Sequence, residues 1–388
     1  MKLKLFSAAF AALPLLASAQ GTTSVKLYGV VDTAIQYANN IADGQGGSHS
    51  STHFPDLTGS WPSHWGLAGS EDLGNGLSAV FNLEAGFTTG TGKHAGDGRL
   101  FGRQSWVGLK GDWGQIAFGR QYSMLLGSMM RADFIGASSH GLASMDNYIP
   151  NARMDNAVTY TGRFDGFRFG AAYSRGRDTS TAGGPAARGC GVDFQNESVC
   201  SAWSGFVGYD STNWGVASAY DVLRGGDTTW PGGGLANSSS RDTRWTITGY
   251  ARFDSLKVGL IYLNRKNQGG ILSNPINRIG GGAPEIRSLG QRSDLWALNA
   301  SYQFTPAFAL DGAVYYIDYK DAPEDSNSWD YIMRARYSLS KRTFVYVSAS
   351  HVKNKGNANL SAASGVIGAT PNFGSNQTSV MAGMRHNF

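Results

Sequence analysis

The sequence predicts an all-β fold, a transmembrane antiparallel β-barrel of about 16 strands with short turns on one side and long loops on the other. Apolar and polar residues alternate along most of the chain, and short connections alternate with long ones. After the N-terminus, no apolar run approaches the roughly 20 residues that a membrane-spanning helix needs. Barrel strands alternate, so they never form continuous apolar blocks.

The N-terminus has the pattern of a secretory signal peptide. Two lysines precede an apolar stretch that ends at Leu16, and Ala17-Ser18-Ala19 forms a small-x-small cleavage site. We therefore expect residues 1–19 to be a signal peptide and residues 20–388 to form a single barrel domain.

Composition narrows the class of protein. Without Lys2 and Lys4, the 33 basic residues become 31 (33 − 2) against 28 acidic ones, so the mature chain is nearly neutral. No run of Lys or Arg could track a phosphate backbone, which excludes nucleic acid as an expected partner. Charged residues make up only 16% while glycine reaches 53 of 388, a profile that fits a β-sandwich, a propeller or a membrane barrel.

Alternation with a period of two predicts the individual strands. The pattern is clear in residues 77–87, 167–175, 256–265, 308–316 and 331–337. The polar face of these segments should line a water-filled interior, and it contains Glu84, Arg168, Lys257, Asp311, Arg334 and Arg336.

The connections distinguish a barrel from a sandwich, because a sandwich would not keep long loops on one side throughout. The predicted short turns are 72–76, 111–113, 163–166, 210–213, 254–255, 305–306 and 340–341. The predicted long loops are 38–62, 88–99, 122–152, 176–201, 225–240, 266–291, 319–327 and 352–375. Closure would pair the first strand, Val25–Tyr37, with the last, Asn376–Phe388.

Aromatic residues cluster near the predicted strand ends, as in the interfacial girdles of membrane barrels. The members are Trp113, Phe164, Phe253, Phe304 and Phe388.

Cys190 and Cys200 lie in one Gly- and Ser-rich stretch. In an exported chain we expect a local disulfide between them. A metal pair is the alternative, but no histidine is near enough to support it. The sequence contains no other metal or cofactor motif, since Gly74-Asn-Gly76 has the pattern of a turn.

Several segments resemble the general porins of Gram-negative bacteria, in particular those of β-proteobacteria. They span nearly the entire mature chain in the right order: SVKLYGVVD at 24–32, WGLAGSEDLGNGL at 65–77, RLFGRQSWVGL at 99–109, GRQY at 119–122, NAVTY at 156–160 and AGMRHNF at 382–388. The resemblance implies a homotrimer of 16-stranded, water-filled pores, each narrowed by an inward-folded third loop. The terminal Phe388 resembles the signal by which the barrel-assembly machinery recognises such chains.

The third long loop, between Tyr122 and Met154, is too apolar to be freely solvated. We expect it to pack its apolar side on the inner wall and to present Asp133 and Asp146 to the lumen. In the family, an arginine cluster faces this loop, and it carries over onto His64, Arg103 and Arg153.

The carried-over cluster departs from the family at two positions, His64 and Ala68, the second of which is a basic residue in many relatives. Many relatives have Arg where this chain has His64, and histidine is mostly neutral at pH 7. The resemblance therefore implies about two fixed positive charges there and a weakened anion preference. Arg99 and Arg120 lie in the matching motifs, where they could brace the loop or a subunit contact.

The predicted function is passive diffusion of small hydrophilic solutes and ions across the outer membrane, in contact with membrane lipid and lipopolysaccharide and without a cofactor. The main alternative is a channel on the same barrel that is specific for a sugar or small anion. An outer-membrane enzyme is a weaker alternative, because none of the seven histidines sits in a recognisable catalytic string. A display or adhesive role for the external loops is a further alternative, in addition to transport.

Overall fold

The computed structural model describes residues 23–55, 59–96, 98–146, 148–149, 152–176, 198–226, 235, 237–278, 283–366 and 368–388. Residues 1–19 and Cys190 lie outside these residues. The signal peptide and the disulfide between Cys190 and Cys200 therefore stay predictions.

The described residues contain eighteen strands and two short helices. Neither helix is long and apolar enough to cross a membrane. The helices are α1 (Met124–Met129) and α2 (Leu142–Met145). The strands are β1 (Ser24–Ala42), β2 (Ser48–His53), β3 (His64–Gly74), β4 (Leu77–Phe87), β5 (His94–Ala95), β6 (Gln104–Gly111), β7 (Gly114–Tyr122), β8 (Arg153–Phe164), β9 (Phe167–Arg175), β10 (Ser201–Asp210), β11 (Trp214–Arg224), β12 (Arg241–Phe253), β13 (Leu256–Asn267), β14 (Arg292–Gln303), β15 (Phe308–Tyr319), β16 (Ser326–Ser338), β17 (Thr343–Lys355) and β18 (Gln377–Asn387).

Sixteen of these strands form a closed antiparallel barrel, and the short β2 and β5 are additions to it. β1 pairs with β18 from Val30↔Asn387 to Ala38↔Ser379 and with β3 from Ser24↔Ser70 to Val30↔His64. This closure leaves no unpaired sheet edge in the bilayer. The predicted fold, strand number and pairing of the terminal strands are all confirmed.

Alternate residues of each strand face opposite sides of the wall. On β1, Ile35 and Tyr37 are exposed on the outside, whereas Asp32 and Gln36 are buried inside. The inward position is polar because it faces the water-filled interior, and the outward position is apolar because it faces lipid.

The predicted girdle residues all lie on the outer surface, with exposed fractions from 39% for Phe388 to 76% for Phe164. They mark the end of the barrel that carries the short turns. A second set of aromatic pairs, with tilted rings in contact, lies toward the long-loop end and includes Trp203–Tyr220, Tyr262–Trp296 and Tyr316–Trp329.

The first external loop is shorter than predicted. The expected loop at 38–62 contains the end of β1 and all of β2, which pair from Gln36↔His53 to Ala42↔Ser48. β2 shows no alternation of buried and exposed residues, because most residues on both of its faces are exposed. With no buried face, the strand leaves no period-two signal in the sequence.

The C-terminal residue closes the barrel seam. Phe388 exchanges two backbone hydrogen bonds with Gly29, at 3.0 and 3.1 Å. A Cβ added at Gly29 would lie 2.6 Å from the His64 carbonyl oxygen and 2.4 Å from Cζ of the Phe388 ring, so only glycine fits there.

Candidate functional site: the pore constriction

The third loop (residues 123–152) folds into the barrel and packs on its inner wall. Leu125, Met129 and Ile149 are buried to 1% exposure or less in a cluster shared with alanines and leucines of the wall. This burial explains the apolar content that the sequence shows in a connecting segment. The loop is therefore a fixed part of the lumen.

Ion pairs hold the loop at its two sides. Asp146 accepts from Arg244 Nε at 3.2 Å, and Arg131 Nη1 lies 3.0 Å from Asp210 Oδ2. Arg334 of β16 donates to the backbone carbonyls of Phe134 and Ile135, at 2.9 and 3.0 Å. A guanidinium that binds carbonyl groups fixes the loop backbone itself.

His140 anchors the middle of the third loop in a socket of uncharged side chains. Its Nδ1 lies 2.9 Å from Ser348 Oγ, and its Nε2 lies 2.9 Å from Ser379 Oγ and 3.2 Å from the Gln36 amide nitrogen. The residue is completely buried. Burial, and to a smaller extent the positive charge of Arg334, lowers the pKa of His140 to about 3. The imidazole is therefore neutral at pH 7.

A second segment also enters the lumen, and its inward course was not predicted from the sequence. We call residues 59–63, between β2 and β3, the inner hook. Asp32 holds it: the carboxylate accepts from the backbone nitrogens of Ser60 and Trp61, at 3.1 and 3.0 Å. Ser63 exchanges hydrogen bonds with the backbone of Asp32, both at 2.9 Å. The sequence does carry a signal for this contact, because the period-two alternation of β1 places the Asp32 carboxylate inside the barrel.

The inner hook and the third loop touch each other. Ser138 Oγ donates to the Gly59 carbonyl at 2.8 Å. Gly136, at φ +79°, lies so close to the Trp61 ring that an added Cβ would be 2.7 Å from Cζ3. The two segments together border a cavity of about 500 Å³ in the lumen.

Basic side chains outnumber carboxylates on the lining of the cavity. Five cationic side chains border it, namely Arg103, Lys257, Arg334, Arg336 and Arg385. The carboxylates that border it are Glu84 and Asp133. Asp311 lies behind this wall and pairs with Arg334 and Arg336, at 2.9 and 2.6 Å.

Of the residues carried over from the family, the structure places His64 and Arg103 on the cavity, next to Glu84. Arg103 Nε donates to Glu84 Oε1 at 2.6 Å, and His64 Nε2 lies 3.9 Å from Glu84 Oε2. Arg153 is buried beside them and donates to the Arg103 carbonyl at 3.0 Å and to Tyr122 Oη at 2.9 Å. It therefore supports Arg103 from behind.

Arg99 and Arg120 do not border the cavity. Both pair with Asp155 near the start of β8, Arg99 at 3.4 Å, and Arg120 also donates to the Gly102 carbonyl at 2.7 Å. Of the two roles that the sequence left open, this geometry favours bracing the base of the third loop.

The two predicted loop carboxylates lie in different places. Asp133 borders the cavity, where its Oδ1 accepts from Tyr315 Oη and from the Gly136 nitrogen, both at 3.0 Å. Burial raises the pKa of Asp133. Asp146 is instead turned to the wall and is paired with Arg244, as described above.

Arg385 is a cationic side chain of the cavity that forms no ion pair within the described residues. Arg385 lies on β18 with Cζ 5.6 Å from the Trp61 ring centroid and 5.7 Å from that of Phe344. Parity could have identified Arg385, since Phe388 faces outward and Arg385, three residues before it, must face inward.

External segments cover the third loop from the outside. Residues 358–363 are buried, and Ser364 Oγ donates to the Ser139 carbonyl of the third loop at 3.0 Å. The Asn274 nitrogen donates to Asn359 Oδ1, and Asn359 Nδ2 donates back to the Asn274 carbonyl, both at 2.9 Å.

Cys200 is disulfide-bonded. Because Cys190 lies outside the described residues, the pairing of these two cysteines stays a prediction.

A closed barrel with an apolar outer face, a polar interior and an internal constriction defines a membrane channel. Comparison with known proteins gives its family. Residues 7–357 match the family model described as Gram-negative porin, and the chain belongs to that family.

Relatives and solved structures agree with this assignment. The chain is 31% identical over 363 residues to an outer membrane porin protein of Bordetella pertussis, covering 87% of this chain and 91% of that protein. It is 29% identical to outer membrane porin protein 32 of Delftia acidovorans, over 98% of both chains. The anion-selective porin from Comamonas acidovorans has the same fold, with a TM-score of 0.72, 24% identity and coverage of 95% of this chain and 100% of that one.

The predicted family, function and location are thus confirmed. The chain is an outer-membrane porin of a Gram-negative bacterium, and it forms a water-filled channel for the passive diffusion of small hydrophilic solutes.

Proposed function

We propose that this porin conducts small anions in preference to cations and that Arg385 and Lys257 carry most of the preference. The carrying observation is the charge balance at the constriction. Five basic side chains border the cavity, against the carboxylates Glu84 and Asp133 on it and Asp311 and Asp32 behind it, an excess of one (5 − 4).

Ion pairing assigns this excess to particular residues. Arg103 is neutralised by Glu84, and Asp311 is shared by Arg334 and Arg336. Within the described residues, neither Arg385 nor Lys257 forms an ion pair. The preference therefore arises at positions other than the family cluster, where His64 replaces a fixed charge. The anion-selective Comamonas acidovorans porin has the same fold, which is consistent with this proposal.

The reversal potential in a KCl gradient across a planar bilayer tests the proposal. A unit charge about 5 Å from a permeating ion contributes about 0.8 kcal/mol in water, and 0.1 M salt screens part of it. Removing both charges, in Arg385→Gln with Lys257→Gln, should lower the chloride-to-potassium permeability ratio severalfold. Lys266→Gln, at the exposed end of β13, is the matched control and should leave the ratio unchanged. A cation-selective wild type, or an unchanged double variant, would contradict the proposal.

The assembly that we propose is a homotrimer in contact with outer-membrane lipid and lipopolysaccharide. Val25, Leu27 and Val31 are exposed on the outer face of β1, at 61%, 56% and 39%, and such a face needs cover from lipid or from another subunit. A trimeric form occurs in a structural neighbour, OmpT of Vibrio cholerae, with a TM-score of 0.60. Light scattering of the detergent-solubilised protein should give three chains per particle, and a monomer would contradict the assignment.

We further propose that the chain has no catalytic role. We also propose that the barrel-assembly machinery recognises Phe388. Phe388 is 39% exposed at the barrel end that carries the short turns, where an assembly factor could reach it. Phe388→Ala should lower the amount of folded barrel in the membrane, measured as heat-modifiable mobility on gels, and unchanged assembly would contradict this role. Outward-facing Phe118→Ala on β7 is the matched control.

A further inference from the structure

We propose that the constriction binds organic monocarboxylates that carry a compact apolar body, with the carboxylate on Arg385 and the body against the third loop. This inference deepens the proposed anion preference and rests on it, since it assigns a substrate class to the same cavity.

Arg385 is arranged to receive a carboxylate. Its Nε donates to Asn387 Oδ1 at 3.0 Å, while its two terminal nitrogens have no hydrogen-bond partner within the described residues. These nitrogens form the planar fork that binds a carboxylate with two parallel hydrogen bonds. The neighbouring Arg336 is already engaged at both Nε and Nη2 by Asp311, which makes Arg385 the more available donor.

Two aromatic rings hold the Arg385 guanidinium in place. Its Cζ lies over Trp61 of the inner hook and over Phe344 of β17, at 5.6 and 5.7 Å from their centroids. These cation–π contacts leave the edge of the guanidinium for a ligand while they orient its plane. Trp61 is itself fixed through its backbone bond to Asp32 and its contact with Gly136, so the arrangement is pre-formed.

The same cavity has an apolar surface that an inorganic ion would not use. Leu126, Met130 and Phe134 of the third loop border it, and Met130 remains 47% exposed. A hydrated chloride ion gains nothing from these side chains. A ligand with an apolar body removes its own surface and theirs from water, which adds to the attraction of the charge.

Charge and apolar surface in one narrow passage select for a molecule that has both. A monocarboxylate matches the single unpaired guanidinium fork, and a body the size of a benzene ring fits a cavity of about 500 Å³. Acetate carries the same charge without the apolar body, and benzyl alcohol carries the body without the charge. Benzoate is therefore the informative probe.

The experiment measures the block of the chloride current through single channels in a planar bilayer while benzoate, acetate or benzyl alcohol is added. Benzoate should halve the current at about a tenfold lower concentration than acetate, and benzyl alcohol should have little effect. Arg385→Lys keeps the charge but removes the planar fork, and Trp61→Leu keeps all charges but removes one ring. Both variants should bring the benzoate and acetate concentrations close together.

Matched controls separate this effect from damage to the barrel. Trp203→Leu removes a tryptophan that is 44% exposed on the outer wall, and it should preserve the tenfold difference. Equal block by benzoate and acetate in the wild type would overturn the inference, as would a difference that survives in both lumen variants. Failure of the underlying anion preference is seen separately, because the reversal potential in KCl is measured without either organic acid.

Discussion

Acidification should loosen the third loop, because His140 is held neutral in a socket of uncharged groups. The pKa of His140 is about 3 in the docked loop, whereas an imidazole in the water of an open lumen has a pKa near 6.5. The docked state therefore binds fewer protons than the undocked state between these two values. Its stability is complete above about pH 6.5 and is lost progressively as the pH falls toward 3.

The size of the effect follows from the two pKa values. Between pH 6.5 and 3, each unit by which the pH falls weakens the free energy of third-loop docking by about 1.4 kcal/mol. At pH 4 the accumulated loss is about 3 kcal/mol, which corresponds to a shift of a few hundredfold in the docking equilibrium. Asp133 acts in the opposite direction, since its raised pKa favours the docked state as the pH falls.

The assay is hydrogen exchange of peptides that cover residues 134–146, at pH 7 and pH 4 after correction for the intrinsic exchange rate. Protection should fall at pH 4 in the wild type, and single-channel current should become noisier. His140→Gln keeps a neutral hydrogen-bonding side chain and should lose most of this pH dependence. His351→Gln, a histidine on the outer face of β17, is the control and should behave as the wild type. An equal loss of protection in His140→Gln and the wild type would refute the reasoning.

Three further perturbations follow from the contacts. Asp311→Asn removes the carboxylate shared by Arg334 and Arg336 and should raise the chloride-to-potassium permeability ratio, so a reversal potential equal to that of the wild type would contradict the pairing. Asp32→Ala removes the acceptor of the inner hook and should cost about 2 kcal/mol of hook docking, seen as larger single-channel conductance; unchanged conductance would contradict a role for the hook in narrowing the pore. Leu125→Ala leaves a void between the third loop and the wall and should destabilise that contact by about 3 kcal/mol, whereas exchange of loop amides at the wild-type rate would show that the packing is not needed.

The strands could be predicted because their cause is local. Each wall residue meets either lipid or water, so the chain alternates with a period of two wherever it crosses the membrane. The hairpin of β1 and β2 escaped prediction because most residues of β2 are exposed to solvent on both faces, and no alternation marks it. The inward path of the third loop was also predictable, since Leu125 and Ile149 are too apolar for a solvated segment.

The charges at the constriction could not be assigned from the sequence. Parity places Lys257, Arg334, Arg336 and Arg385 inside the barrel, but it does not tell at what height they lie or which of them has a counter-ion. Barrel closure decides that point, because it brings β18 beside β1 and sets Arg385 against Trp61 and Phe344. The sequence was enough to predict the barrel, the placement of its long loops and short turns at opposite ends, and the family of the protein. Which cations are left unpaired depends on distances between strands far apart in the chain, and only the folded barrel sets those distances.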